Sequence, residues 1–321
     1  MRDSGGGVRH RITEGLRHRR EYECSNPTSQ TLGTLYENLS KKRCNMQDPH
    51  VDLVRYKTKT GEDVTYENCS PIHKDTDKYS MTLENDLLTL KFKEHYASIP
   101  EARTVIEPLL RSWEIDISLR LGMNDLKFDY LDSEVIDRNP PQPGSANISV
   151  NAICSVTVSG HATAHVKRSS YPEPPQNFEA TPEVEILWKR FEMYLEGRDQ
   201  LQSMAYFCLS YMENLAGGRR FIPTIYNIDR AVLDSLGDLT SVRGDTQTAR
   251  KGKDHCFIPL ANQEKCWIEE CVKMIIRRLG EHSATPLSLS MITLSDLPII
   301  QDYRRINRSS YNRGFATSER I

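Results

Sequence analysis

An α+β fold is predicted by three features of the chain. Residues 49–170 alternate apolar and polar side chains and are rich in β-branched and aromatic residues, the signature of half-buried strands. Residues 171–180 are punctuated by Pro172, Pro174 and Pro175, which cannot lie inside a sheet and stiffen the chain. From Thr181 to Glu281 apolar residues recur at helical spacing in four stretches. The expected organisation is therefore an N-terminal extension over 1–48, disordered or weakly helical, and a mixed β-rich domain over 49–170. A Pro-rich linker over 171–180, a four-helix bundle over 181–282 and a variable tail over 283–321 follow.

Order is expected to begin near Val51. The stretch VDLVRYKTKTGEDVTYENC alternates around Thr60 and Gly61, the pattern of a β-hairpin, while Leu83–Phe92 is a second apolar run of either type. SIPEARTVIEPLLRSWEIDISLRLG then reads as a long helix. Ser98 and Glu101 make a capping box, Pro100 sits in the first turn, and Val105, Ile106, Leu109, Leu110, Trp113, Ile117 and Leu121 form its stripe. Gly122 is the expected stop, and Pro108 a point where the helix can bend. DLKFDYLDSEVID, ISVNAICSVTVSG and HATAHVKRSS read as strands.

The first helix of the bundle has Thr181 as its N-cap and Pro182 at its first position, with Leu187, Trp188, Phe191, Tyr194 and Leu195 on one face. The second carries Leu201, Met204, Ala205, Cys208, Tyr211, Met212 and Leu215 and stops at Gly217 and Gly218. Asn227 or Asp229 caps a third, built on Val232, Leu233, Leu236 and Leu239. Asn262 opens a fourth on Trp267, Ile268, Cys271, Val272, Ile275, Ile276 and Leu279, with Gly280 as its expected end.

Composition excludes several classes. With 27% charged residues and no window near the roughly 18 apolar residues a spanning helix needs, no membrane partner is expected; without an apolar leader, a cytoplasmic location is. The eight cysteines read as reduced thiols. There is no CxxC, and Cys266 and Cys271 on one helix would point about 140° apart, which argues against structural zinc. His161 and His165 on a strand would lie about 13 Å apart, too far for one ion. A net charge of −2 gives no global attraction to nucleic acid, although Arg9, Arg11, Arg17, Arg19 and Arg20 crowd one end and Arg304, Arg305, Arg308 and Arg313 the other. These ends read as solvated tails. No Walker loop, GxGxxG turn, GxSxG elbow or HExxH helix is present, and no metal or cofactor is expected.

One polar loop stands apart. RGDTQTARKGKDH, residues 243–255, joins the third and fourth helices and holds Arg250 and His255 with four residues between them. An imidazole titrating near neutrality can move the proton of a 2′-hydroxyl, and a permanently charged guanidinium can stabilise phosphorane oxygens. Arg243, Lys251 and Lys253 would draw in an RNA backbone. The plainer alternative is a solvated connection whose cations offset the C-terminal dipole of the preceding helix. An Arg-x4-His pair in such a bundle resembles the HEPN superfamily (higher eukaryotes and prokaryotes nucleotide-binding). That resemblance implies a metal-independent ribonuclease with Arg250 and His255 as catalytic pair, assembled as a homodimer.

A second resemblance covers residues 80–282. RSWEIDISLRLG, EVIDRNPPQPG, YPEPPQNFEA, MAYFCLSYME and SLGDLTSVRGDTQTARK look like a bacterial family of uncharacterised activity, some of whose members are named after protein J of the methylamine-utilisation gene cluster. Two functions follow as expectations. The first is a non-catalytic accessory protein, with a partner or ligand at the N-terminal domain and the bundle as a dimerisation platform. The second is a HEPN-like ribonuclease with that domain as sensor.

Overall fold

The computed structural model describes residues 47–61, 63–122, 125–139, 166–241, 243 and 258–298. Its strands are β1 (Pro49–Lys59), β2 (Val64–Ser70), β3 (Ile72–Asp75), β4 (Tyr79–Glu84), β5 (Leu87–Phe92), β6 (Lys127–Asp137) and β7 (Val166–Ser170). Its helices are α1 (Ile99–Leu121), α2 (Pro182–Leu195), α3 (Leu201–Ala216), the short α4 (Ile222–Tyr226), α5 (Arg230–Ser241) and α6 (Asn262–Ala284). The fold is α+β, as predicted.

Five strands form an antiparallel sheet in the order β3-β4-β5-β1-β6. The expected hairpin between β1 and β2 does not form. β1 buries Val51, Val54 and Tyr56 and is flanked on both edges by β5 and β6, so both its ladders are taken. The more polar β2 pairs in parallel with β7 instead. There Tyr66 donates to Asp125 Oδ2 at 2.8 Å, and Arg168 Nη2 reaches Asp125 Oδ1 at 2.7 Å. Hairpins form instead at β3–β4 and at β4–β5, the latter turned by Asn85 and Asp86, whose φ of 49° and 60° are the positive values a two-residue turn between twisted strands requires.

α1 is capped by Ser98, whose Oγ accepts from Glu101 N. The Glu101 carboxylate returns to Ala97 N rather than to the capping residue's own amide, so the reciprocal half of the capping box is displaced by one residue. The helix continues through Pro108 to Leu121, and Gly122 ends it with φ 130°. Thr181 and Pro182 start α2 as predicted, and Gly217 ends α3 in the left-handed conformation. Asp229 Oδ1 accepts from Ala231 N at the start of α5. Leu121, Leu195 and Leu215 were expected on buried stripes, but all three are exposed; each lies within the last two residues of its helix, where the partner surface has run out.

Two hydrophobic clusters meet on α1. Ile106, Leu110, Trp113 and Ile117 pack with the sheet, while Ile115 and Leu119 pack with the helices α2 to α6. The described residues from Asp48 onward form one compact unit. The Pro-rich stretch 171–180 is irregular, as expected, and runs along this seam with Tyr171 in the sheet core and Phe178 in the helical core. Its backbone is tied at both sides: Trp113 Nε1 donates to Pro172 O at 3.1 Å, and Ala180 N to Ser112 Oγ at 2.9 Å.

α6 does not end at Gly280. It runs to Ala284, and Gly280 is a contact point: a Cβ there would overlap the Phe178 ring and come within 2.9 Å of Glu179 O. Glu179 N donates to Gly280 O at 3.2 Å, so the glycine admits the Pro-rich stretch against the helix. Residues 285–298 fold back onto the helical core. Ile292 and Leu297 are buried, and Ile228 and Ile292 form a parallel bridge.

Candidate functional site

Where α1, the Pro-rich stretch, α6 and the returning chain converge, they enclose a cleft of about 430 Å3, a volume within the usual range for small-molecule sites. Its charged floor begins with Asp116. From 115 to 119 every residue of α1 is buried, because sheet and helices claim opposite sides, and an aspartate in that stretch must be neutralised in place. Its side chain is 5% exposed, and Arg120, one turn on, meets Oδ2 at 2.5 Å.

From α6, Arg277 approaches Asp116 Oδ1 at 4.0 Å and Glu281 Oε1 at 3.0 Å, both through Nε. Glu281 in turn lies 3.2 Å from Arg278 Nε, a pair close enough for charge attraction but not aligned as a hydrogen bond. The result is an alternating chain, Arg120–Asp116–Arg277–Glu281–Arg278, across two helices. Arg278 is buried, and burial pulls its pKa below the ordinary guanidinium value. Its Nη1 donates to Tyr226 O at 2.9 Å and Ser290 O at 2.7 Å, which pins the returning chain as the cleft's lip. Asn227 Nδ2 adds a bond to Leu289 O at 2.8 Å. The Pro-rich stretch lines the cleft from exposed Glu173 to Phe178, with polar Gln176 and Asn177 between Pro175 and Phe178.

The polar loop is described only at its roots. Arg243 follows α5 with its side chain 10% exposed, and its Nη2 lies 2.8 Å from Oε1 of Glu264, itself 5% exposed. Glu264 Oε2 also accepts from Ala261 N, and Gln202 Nε2 donates to both Leu239 O and Arg243 O. Arg243, expected to draw in RNA, thus has its charge held by Glu264. Arg250, Lys251, Lys253 and His255 lie outside the described residues, as do His161 and His165.

Elsewhere, the thiol of Cys208 is pushed up to about 12 by burial, and burial raises that of Cys271, so both are packing groups at neutral pH. Among the described residues no group of three or more His, Cys, Asp or Glu is placed to hold a metal ion, and no helix is long and apolar enough to cross a membrane. Asp116 falls outside the predicted stripe of Trp113, Ile117 and Leu121, and its signal in the sequence is a charge set between Ile115 and Ile117 in a helix with apolar residues on both sides. Searches of protein-family models, of curated proteins and of solved structures find no match to the chain.

Proposed function

We propose that this protein is a non-catalytic accessory protein that binds a small ligand in the cleft between α1 and α6. The observation that carries the reading is the buried carboxylate of Asp116 with two partly open guanidiniums around it, at the floor of a cavity of ligand size. Keeping ionised groups out of water is costly, and such groups at the bottom of a cleft are a recurrent mark of binding sites. The family resemblance adds a bacterial setting beside a catabolic gene cluster such as that for methylamine utilisation. The test is thermal unfolding of the native chain and of Ser290→Trp, which fills the cleft, against a panel of polar metabolite-sized compounds. A compound at a hundred times its Kd should stabilise the native chain by about 2.7 kcal/mol and leave the variant unmoved. Equal shifts in both proteins, or none in either, would defeat the reading.

A second reading, a HEPN-like ribonuclease acting as a homodimer, is favoured by the roots of the loop. The Arg243–Glu264 pair and Gln202 anchor residues 243 and 261–264 to the bundle, and a catalytic loop must be held on a rigid base. Arg250 would stabilise the phosphorane and His255 would move the proton, with Lys251 and Lys253 on the RNA backbone. Labelled structured RNA incubated in EDTA should be cut by the native chain and not by Arg250→Ala or His255→Ala. Intact RNA with all three proteins would end this reading.

A further inference from the structure

The charged side chains that line the cleft are Arg120 and Arg277 against Asp116, Glu173 and Glu281. Both arginines are already engaged with Asp116 and Glu281, so an anion would have to disrupt those pairs and would meet a net negative lining. Glu173 is exposed at the rim, where water screens it too well to hold a cation by charge alone. Charge therefore disfavours an anion and does not capture a cation.

Hydrogen bonding is more selective. Arg277 Nε lies 3.0 Å from Glu281 Oε1 but 4.0 Å from Asp116 Oδ1, beyond a direct hydrogen bond, and the Asp116 side chain is only 5% exposed. A ligand group seated between that guanidinium and Oδ1 must donate to the carboxylate and accept from the arginine at once. A hydroxyl does both, whereas an ammonium only donates and a carboxylate only accepts. The rest of the lining repeats this dual character: the amides of Gln176 and Asn177 and the hydroxyls of Thr285, Ser288 and Ser290 each donate and accept, while Pro174 and Phe178 are buried. We propose that the cleft takes a neutral polyhydroxylated ligand of sugar size, one hydroxyl of which bridges Arg277 and Asp116; this rests on the cleft being a ligand site.

Calorimetric titration of the full chain with glucose, galactose, ribose and myo-inositol tests this, with glucosamine and glucuronate as charged counterparts and cyclohexanol as the apolar one. At least one neutral polyol should bind, and at least tenfold more tightly than any charged or apolar probe. Arg277→Leu should weaken it about ten- to a hundredfold, Ser290→Trp should abolish binding, and Arg230→Leu, on an exposed pair with Asp234, should change nothing. Melting curves of each variant separate lost affinity from lost fold. A charged or apolar probe binding as tightly as the best polyol, with Ser290→Trp still blocking it, would overturn the polyol and leave the cleft a ligand site. Polyol binding unaffected by both Arg277→Leu and Ser290→Trp, or no binding by any probe, would overturn the polyol and the cleft together.

Discussion

The two halves of α1 share a helix and differ in everything that surrounds it. From Ile99 to Leu110 the helix buries one stripe against the sheet, and its outer positions, such as Arg103 and Glu107, carry a solvated ion pair. From Ser112 to Leu119 only Glu114 is not fully buried. The first half is an ordinary amphipathic helix whose polar residues are free to face water. In the second, polar groups must find partners inside: Ser112 bonds Pro108 O and Ala180 N, and Asp116 takes its arginines. The cleft's chemistry originates where a helix is claimed from both sides.

Trp113→Ala should have the largest effect on the doubly packed half. This ring is fully buried at the seam, packs on Phe128 at 4.8 Å and holds Pro172 O, so its removal should cost about 3 to 5 kcal/mol. Sheet and helices should still melt together, with near-ultraviolet and far-ultraviolet circular dichroism tracing one transition. Two separated transitions would show that the seam does not couple the cores.

Gly280→Ala tests the same seam from the α6 side. Forcing a methyl group into the Phe178 ring should cost about 1 to 3 kcal/mol despite alanine's better helix propensity. A variant that melts at or above the native temperature would mean the Pro-rich stretch is not packed there.

The smallest effect belongs to the sheet end. His50 is buried beside Arg138 Nη2 at 3.1 Å and stacked on His95, and burial first, then Arg138 and His95, hold its pKa below the ordinary 6.5. The folded chain therefore resists a proton that the unfolded chain accepts. Above pH 6.5 this contributes nothing; as pH falls below it, stability is lost until the folded pKa is reached, by at most about 1.4 kcal/mol per pH unit. Denaturant melts of His50→Phe should decline less steeply than those of the native chain between about pH 6.5 and 5. An identical slope would assign the acid sensitivity to other groups.

Local rules carried much of the fold in the sequence. The caps at Ser98, Thr181 and Gly217 and the stripes of α2, α3, α5 and α6 depend on residues a few positions apart, and the structure places them as expected except at Leu195 and Leu215, which lie exposed at helix ends. Pairing was less legible. β1 lies next to β5 and β6, with paired residues thirty or more positions apart in the chain, while its sequence neighbour β2 seeks β7; alternation marks a strand without naming its partner. The Asn85–Asp86 turn was readable as two residues tolerant of positive φ, yet it was hidden inside an apolar run. Gly280 read as a terminator because close approach by a distant ring leaves no trace in neighbouring residues. The cleft was illegible for the same reason: Asp116 and Arg277 come together only after both cores are built.

The clamp of Arg243 on Glu264 bears on how this chain tolerates insertion. It ties residue 243 to residue 264, and lengthening a chain between two fixed ends is cheap, about 0.6 kcal/mol for each doubling of length. The position is thus a natural graft point, where a tag, a reporter or a whole domain can be spliced between α5 and α6 while the bundle keeps its register.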